Sequence, residues 1–312
     1  MTLRSMNPQG ELQRLLRTIV ARTPSQLRRR LKQFMPARAR AVVTDQSFNR
    51  IDQVRLARFQ ASRQHFLPAT RDFAQGLAVV VPCYNHARFL ADTLESLARQ
   101  TVRPFQAVFV EDHATDDTWA ALQALTKELP SDIAVTLLQT PRNSGQAFAI
   151  NWGIQHTAAS VYVILNDDDY LMHDALEVIM ALLQSHPDLF LVGASAVPFS
   201  GQASLASTGH NPLIGSLYAD PAQIPMTRFD PAQILQLTSP AQVNMTHSGS
   251  AFFRSAWEVA GGYCPDKQQR VIVFSDRDFQ LRVASLVPIG IANSTPFVFW
   301  RTDSSVDSGH YS

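Results

Sequence analysis

The sequence has few cysteines and no long apolar run, and each shortage excludes a class of protein. Cys83 and Cys264 are the only two thiols among 312 residues, which is too few for a small disulfide-stapled scaffold. They do not form a Cys-x-x-Cys pair of the kind that binds zinc, so we expect two buried thiols in a reducing compartment. No apolar run approaches the ~18 residues that a membrane-crossing helix requires.

Two phosphate-binding motifs are also missing. The chain has no G-x-G-x-x-G after its first predicted strand and no G-x-x-x-x-G-K-[ST] anywhere, which argues against a dinucleotide oxidoreductase and a P-loop NTPase. A phosphate bound without such a loop would need a metal ion to neutralise it. The first residues lack the uninterrupted apolar core of a signal peptide, so we expect a cytoplasmic protein that is not secreted.

What remains is the composition of a globular protein, with a strong internal charge asymmetry. Residues 1–76 hold 15 Lys and Arg against four Asp and Glu, while the whole chain has a net charge of only +1. Apolar stripes predict helices over 12–20, 27–35 and about 47–66. These basic helices suit an anionic membrane surface, which would make the protein peripheral at the inner face, and they equally suit its own acidic body. Nucleic acid is disfavoured because no binding motif is present.

From residue 77 onward, β-rich runs alternate with amphipathic stretches, which is typical of a parallel sheet flanked by helices. The predicted strands cover 77–81, 106–110, 134–139, 161–165, 189–194 and 296–300. The predicted helices cover 88–100, 118–129, 145–156, 174–184 and 275–285. Six prolines between 198 and 240 predict loops and short helices, with Asp220 and Asp230 as helix N-caps. We therefore predict an α/β domain over 77–312 after a helical basic extension over 1–76.

Polar residues follow three of these strands, and in an open α/β sheet the ligand lies at such strand ends. Those positions hold 82–85, Glu111 with Asp112, and 166–169. Three consecutive aspartates at a sheet edge are costly unless a cation neutralises them, and oxygen ligands suit Mg²⁺ or Mn²⁺. A solvated N-cap cluster is the alternative. A second acidic cluster, 276–278, opens a helix and has the same plain alternative.

Five segments resemble the motifs of the family 2 glycosyltransferases, which have the GT-A fold. They occur in the family's order over about residues 77–305, so each weak motif strengthens the others. The segments are VVVPCYNHARFLADTLESLARQT, VFVEDHATDDT, RNSGQAFAINWGIQHTAASVYVILNDDDY, SAFFRSAWEVAGGYCPD and FSDRDFQLRV.

The resemblance implies an inverting, metal-dependent transfer of a hexosyl group from a nucleoside-diphosphate donor, UDP-linked, to a saccharide or lipid-linked acceptor. It implies a role in cell-surface polysaccharide or glycoconjugate synthesis, a nucleotide-binding half over 77–169 and an acceptor half over 170–312. The nucleotide-sugar-binding residues that it implies are Pro82, Tyr84, Asn85, Asp112, Asn143, Gly145, Asn151, Asn166 and Asp167.

The resemblance also assigns the chemistry. It implies that Asp168 and Asp169 hold Mn²⁺ or Mg²⁺, and that Asp276 is the general base that deprotonates the acceptor hydroxyl. The acceptor-side candidates are His247, Trp300 and Arg301, where a packed loop histidine is the alternative for the first.

Some positions depart from the family pattern. Asn166 replaces the first acid of the family's Asp-x-Asp, Ser275 replaces the Glu before the base, and Asp303 stands where a His often ligates metal, with only His310 later. These changes motivate a second hypothesis, a catalytically silent GT-A module that binds a glycan or a partner enzyme. A nucleotidyltransferase is disfavoured because no glycine-rich basic loop follows the first strand.

Overall fold

The computed structural model describes residues 50–200, 220, 223–237, 239–292 and 295–303. The chain divides into two compact units, Met1–Ile51 and Asp52–Ser312, and almost all of the described residues belong to the second. The helices predicted over 12–20 and 27–35, the helix predicted after Asp220 and the candidate His310 lie outside the described residues. Within them, no helix has both the length and the apolar character that crossing a membrane requires.

The strands and helices alternate along the second unit. The strands are β1 Leu77–Cys83, β2 Phe105–Glu111, β3 Ile133–Gln139, β4 Val161–Ile164, β5 Tyr170–Leu171, β6 Leu191–Ala194, β7 Ala196–Phe199, β8 Met226–Phe229, β9 Ala251–Phe253, β10 Ile289–Ala292 and β11 Val298–Arg301. The helices are α1 Gln53–Arg63, α2 Leu90–Ala98, α3 Thr118–Leu125, α4 Gln146–Gln155, α5 Ala175–Ser185, α6 Pro231–Ile234, α7 Arg254–Ala260 and α8 Ser275–Ala284.

One mainly parallel sheet forms the centre of this unit. Its eight strands lie in the order β3-β2-β1-β4-β9-β6-β10-β8, and β1, β2, β3 and β4 run parallel to one another. Every residue of β1 is buried, which is expected for a central strand whose two faces are both covered by helices. The predicted α/β class, with helices between parallel strands, is confirmed.

The structure corrects the prediction for residues 198–240, which we expected to form only loops and short helices. Asp230 does cap α6 through a capping box with Pro231 at the first turn, but β8 lies just before it and pairs antiparallel with β10. Of the second sheet, which consists of β5, β11 and β7, the sequence predicted only the strand that corresponds to β11. Both features depend on pairing between segments far apart in the sequence, which local patterns do not reveal. Cys83 is buried as expected, whereas Cys264 is only partly buried.

The helix α1 packs on the last part of the domain, although we assigned its residues to the N-terminal extension. The guanidinium of Arg63 donates hydrogen bonds to the carbonyl oxygens of Val259 (2.6 Å) and Glu258 (2.8 Å) at the end of α7. Gln60 donates to the carbonyl of Ser285 (2.6 Å), which caps α8. Carbonyl groups at a helix C-terminus lack partners within the helix. By donating to such groups at the ends of α7 and α8, the side chains of α1 stabilise both helices.

Candidate active site

The loop that follows β4 is joined directly to the loop that follows β1. The carboxylate of Asp167 accepts hydrogen bonds from the backbone N–H of Tyr84 (2.8 Å) and from Nδ1 of His86 (2.7 Å). Asp167 is buried, and this burial raises its pKa while the contact with His86 opposes the rise. The ends of β1 and β4, which the sequence predicted to converge, are therefore joined by the hydrogen bonds of Asp167.

Asp169, in the same loop, contacts a different set of residues. Its carboxylate accepts hydrogen bonds from the hydroxyl of Ser248 (2.6 Å), the backbone N–H of Arg301 (2.8 Å) and the side-chain amide of Asn166 (3.3 Å). Burial, with a further contribution from the charge of Asp168, raises the pKa of Asp169 to about 8. Two neighbouring carboxylates are thus costly to ionise together, and a cation bound beside them would lower this cost.

Arg301, a predicted acceptor-side residue, is buried beside this loop. The residue is 1% exposed, and its guanidinium lies 4.2 Å from the ring centre of Phe89 and 4.5 Å from that of Phe199. It donates to the carbonyl of Asp168 (2.9 Å) and to the carboxylate of Asp92 (2.9 Å). A guanidinium held in this way fixes the backbone of the aspartate loop, and the predicted role of Arg301 toward an acceptor stays a prediction.

A candidate metal group is present at the same place. Ligand atoms of His86, Asp167 and Asp168 lie within 4.8 Å of one another. Asp168 is half-exposed, and in the described part of the chain its carboxylate accepts no hydrogen bond, so its oxygens are open to a cation. Carboxylate oxygens fit Mg²⁺ or Mn²⁺. The sequence paired Asp168 with Asp169, whereas the structure groups it with Asp167 and adds His86, which directly follows the predicted strand-end residues 82–85.

Asp112, at the end of β2, organises the loop after β3. Its carboxylate accepts hydrogen bonds from the hydroxyl of Thr140 (2.6 Å) and from the backbone N–H groups of Ser144 (2.9 Å) and Gly145 (2.6 Å). Gly145 has a φ of +83° immediately before α4, a conformation that favours glycine. The neighbouring Asn143 is exposed. Four of the predicted nucleotide residues, 112, 143, 145 and 166, therefore stand in loops at the carboxyl ends of β2, β3 and β4.

Two other predicted nucleotide residues have structural contacts. The side-chain oxygen of Asn85 accepts from the backbone N–H of Thr115 (2.6 Å), which connects the loops after β1 and β2. Asn151 exchanges hydrogen bonds with the backbone of Tyr263, at 2.8 and 2.9 Å, and accepts one from the indole of Trp257 at 3.0 Å. Its side chain thereby ties α4 to the segment after α7. Pro82 is buried within β1.

The two carboxylates at the start of α8 differ in their burial and in their contacts. Asp276 is half-buried, and among the described residues it accepts no hydrogen bond and has no ion-pair partner. Asp278 is fully buried and accepts from the backbone N–H of Val271 (2.7 Å) and from Nε of Arg282 (2.8 Å). The first carboxylate is available to take a proton from a ligand, and the second holds the fold together.

The rings of His247, Tyr263 and Phe279 form a chain of contacts that ends on α8. Nε2 of His247 lies 3.2 Å from the hydroxyl of Tyr263, whose ring stacks on Phe279 with 4.0 Å between the ring centres. Burial lowers the pKa of His247, and the charge of Asp276 opposes this change. His247 is thus a buried, neutral histidine within the electrostatic reach of Asp276. Trp300 is 44% exposed, so its ring is open to stacking, and its predicted contact with a sugar stays a prediction.

With this geometry in place, comparison of the sequence with protein families gives one assignment. The profile of "Glycosyl transferase family 2" matches residues 78–258, more than half of the chain. The chain belongs to glycosyl transferase family 2.

Known proteins and solved structures agree with this assignment. The chain is 22% identical over 213 residues to the "Amylovoran biosynthesis glycosyltransferase AmsE" of Erwinia amylovora, a match that covers 67% of this chain and 70% of that protein. Other curated relatives are matched over less of their length, 35% in one case and 16% in another.

Two solved structures are similar in fold. The crystal structure of S. aureus TarS 1-349 in complex with UDP-GlcNAc has a TM-score of 0.53 and 15% identity, over 73% of this chain and 59% of that one. The mannosyltransferase PcManGT from Pyrobaculum calidifontis, in complex with GDP-Man and Mn²⁺, has a TM-score of 0.51 and 20% identity, over 83% of this chain and 67% of that one. At these identities the likeness concerns the fold, which is GT-A.

Proposed function

We propose that this protein is an inverting, metal-dependent glycosyltransferase that moves a hexosyl group from a UDP-sugar to a hydroxyl of a saccharide or lipid-linked acceptor. Its reaction would serve the synthesis of a cell-surface polysaccharide or glycoconjugate. The observation that carries the proposal is the aspartate loop after β4, which is bonded to the loop after β1 through Asp167 and leaves the carboxylate of Asp168 open. In an open α/β sheet the ligand lies at the carboxyl ends of the strands. Carboxylates at that place suit a cation that holds the phosphates of a donor, which a fold without a glycine-rich loop would require.

The names of similar proteins support the choice of donor and cation. One structural neighbour was crystallised with UDP-GlcNAc and another with GDP-Man and Mn²⁺. In this chain Asp167 and Asp168 would hold Mn²⁺ or Mg²⁺, and Asp169, fixed by Ser248 and Arg301, would keep the loop in shape. When bound, the ion supplies positive charge for the diphosphate leaving group.

The acceptor side of the reaction depends on Asp276. Its carboxylate has no partner among the described residues, so it is free to accept a hydrogen bond from an acceptor hydroxyl and to take up the proton as that oxygen attacks the sugar. The side chains of His247 and Tyr263 are buried and lie within the influence of its charge. Inversion follows from a single displacement by that oxygen.

The donor site can be tested by the melting temperature with a panel of nucleoside diphosphates, with and without Mn²⁺. A ligand that binds the native state raises the melting temperature by mass action. We expect UDP to raise it only when Mn²⁺ is present, and Asp168→Ala to abolish the increase. Asp132→Asn is the matched control, because Asp132 is an exposed carboxylate before β3 whose side chain is 54% exposed.

The possible outcomes separate the two hypotheses. A metal-dependent shift that Asp168→Ala removes and Asp132→Asn keeps supports the donor site. Absence of a shift with every nucleotide would contradict the proposed transferase. Binding of UDP without turnover on any acceptor would favour the catalytically silent GT-A module instead, which the replacements Asn166, Ser275 and Asp303 motivated.

We also propose that the basic segment before α1 binds an anionic membrane surface, which would bring the site to lipid-linked acceptors. Flotation with vesicles of acidic lipid should retain the full chain and not a shortened chain that begins at Arg50. The shortened chain must keep α1, because Gln60 and Arg63 bind the ends of α8 and α7. Equal flotation of both proteins, or flotation of neither, would contradict membrane binding by this segment.

A further inference from the structure

Arg277, the residue after Asp276, carries a buried guanidinium nitrogen without a protein partner. Its Nη1 atom is shielded from solvent and makes no hydrogen bond, and in the described part of the chain no carboxylate forms an ion pair with its guanidinium. A buried donor without an acceptor is costly because it loses its bonds to water. The fold therefore carries, on a partly exposed arginine, one buried guanidinium nitrogen for which no described residue supplies a hydrogen-bond acceptor.

Other buried arginines of the domain show how this fold satisfies a structural guanidinium. Arg282, on the same helix, donates to Asp278 and to the carbonyls of Ala260 (2.9 Å) and Gly262 (2.8 Å). Arg270 donates to three backbone carbonyls, at 2.7, 3.1 and 3.3 Å. Arg277 differs from these residues because its buried nitrogen has no such contact.

The position of Arg277 adds to its cost. It lies in the first turn of α8, where the helix dipole disfavours a positive charge. It stands beside Asp276, whose charge offsets part of this cost, and the charges of both residues act on His247. A cation that is desolvated and placed against the helix dipole is stabilised further when an anion binds next to it.

We propose that Arg277 binds an anionic group of the acceptor, a phosphate or a carboxylate, beside the hydroxyl that Asp276 deprotonates. The planar fork of a guanidinium matches both of these groups with two parallel hydrogen bonds. This inference rests on the proposed function, because it places the anion on the substrate that faces Asp276. It narrows the acceptor to saccharides or lipid-linked saccharides that carry negative charge near the reacting hydroxyl.

A first experiment needs no ligand. Arg277→Met should leave the melting temperature of the unliganded protein unchanged or raise it, because the substitution removes a buried guanidinium nitrogen that has no hydrogen-bond acceptor. Arg282→Met should lower the melting temperature clearly, since it strips the ion pair from Asp278. If Arg277→Met lowered it as much as Arg282→Met, Arg277 would have a structural role and the inference would be wrong.

A second experiment measures anion binding in the full chain with UDP and Mn²⁺ present, so that the donor site is filled. The probes are glycerol 3-phosphate, glucuronate and neutral glycerol, and the readout is the shift in melting temperature with probe concentration. We expect at least one anion to bind, glycerol not to bind, and Arg277→Gln to weaken the anion by about tenfold or more. Arg99→Gln is the control, because Arg99 is an exposed arginine on the far end of α2 that pairs with Glu95.

The comparison of probes identifies the anion, since binding of phosphate alone or of carboxylate alone assigns the acceptor group. Binding of neither anion, or equal binding to wild type and Arg277→Gln, overturns the inference. A parallel titration in EDTA without nucleotide keeps this test separate from the proposed function. If UDP binds and no anion binds, the proposed transferase function is retained and only the proposed role of Arg277 is excluded.

Discussion

Replacement of Asp276 by Asn is expected to lower the turnover of sugar transfer by about 10²- to 10⁴-fold, the range that a positioned general base contributes. The amide has the shape of the carboxylate and cannot accept a proton from the acceptor. Because Asp276 makes no hydrogen bond within the described domain, its replacement leaves no hydrogen-bond donor unsatisfied and removes only its charge beside Arg277, so we expect the melting temperature to change little and the affinity for UDP to stay the same. Release of UDP from a UDP-sugar with a panel of saccharide acceptors is the activity to measure.

Asp266→Asn provides a comparison for this variant. Asp266 is also an aspartate of the acceptor half, but its carboxylate accepts from the backbone N–H of Gln268 (2.8 Å) and from the side chain of Gln269 (2.9 Å) in an exposed turn. It should retain wild-type turnover. If Asp276→Asn kept more than about a fifth of the activity, Asp276 could not be the base. A fall in UDP affinity alone would point to a role in donor binding.

The sequence predicted the parts of this site that are local. Each polar group that follows a predicted strand does lie at a strand end, because the alternation of strands and helices fixes where parallel strands finish. For the same reason the strand ends and following loops that carry 82–85, 111–112 and 166–169 could be named as neighbours. Asp276 does not follow a strand, and it became a candidate site residue through the motif resemblance.

The sequence did not predict which side chains complete the aspartate loop. Ser248 and Arg301 bond to Asp169 from segments 79 and 132 residues away, and His86 bonds to Asp167 across 81 residues. Such contacts arise from tertiary packing, for which the sequence carries no periodic signal. Arg301 shows the consequence most clearly, since the sequence named it only as an acceptor-side candidate, and the structure bonds it to Asp168 and Asp169 of the aspartate loop.

The strongest effect on stability is expected from Arg282→Met. The substitution leaves the carboxylate of Asp278 fully buried without its charged partner, and breaking a buried pair in this way costs about 3–5 kcal/mol of unfolding free energy. Urea denaturation measures this quantity directly. Arg228→Met is the matched control, because Arg228 pairs with Asp188 on the surface, where both side chains are nearly half-exposed, and exposed pairs contribute about 0–1 kcal/mol.

The pH dependence of the deficit distinguishes a buried charge from lost packing. Burial already raises the pKa of Asp278 in the folded protein, and Arg282 opposes the rise, so removal of Arg282 should raise that pKa further. A carboxyl with a raised pKa in the folded state favours folding at pH below its unfolded pKa and loses this contribution as pH rises through the folded pKa. The deficit of Arg282→Met should therefore shrink as pH falls from neutral toward the unfolded pKa of Asp278. Arg282 also donates to the carbonyl of Ala260 at the end of α7 and lies over the ring of Phe59 in α1, 5.2 Å from its centre. A deficit that is constant with pH would mean that these lost contacts, rather than the ion pair, hold α8 in place.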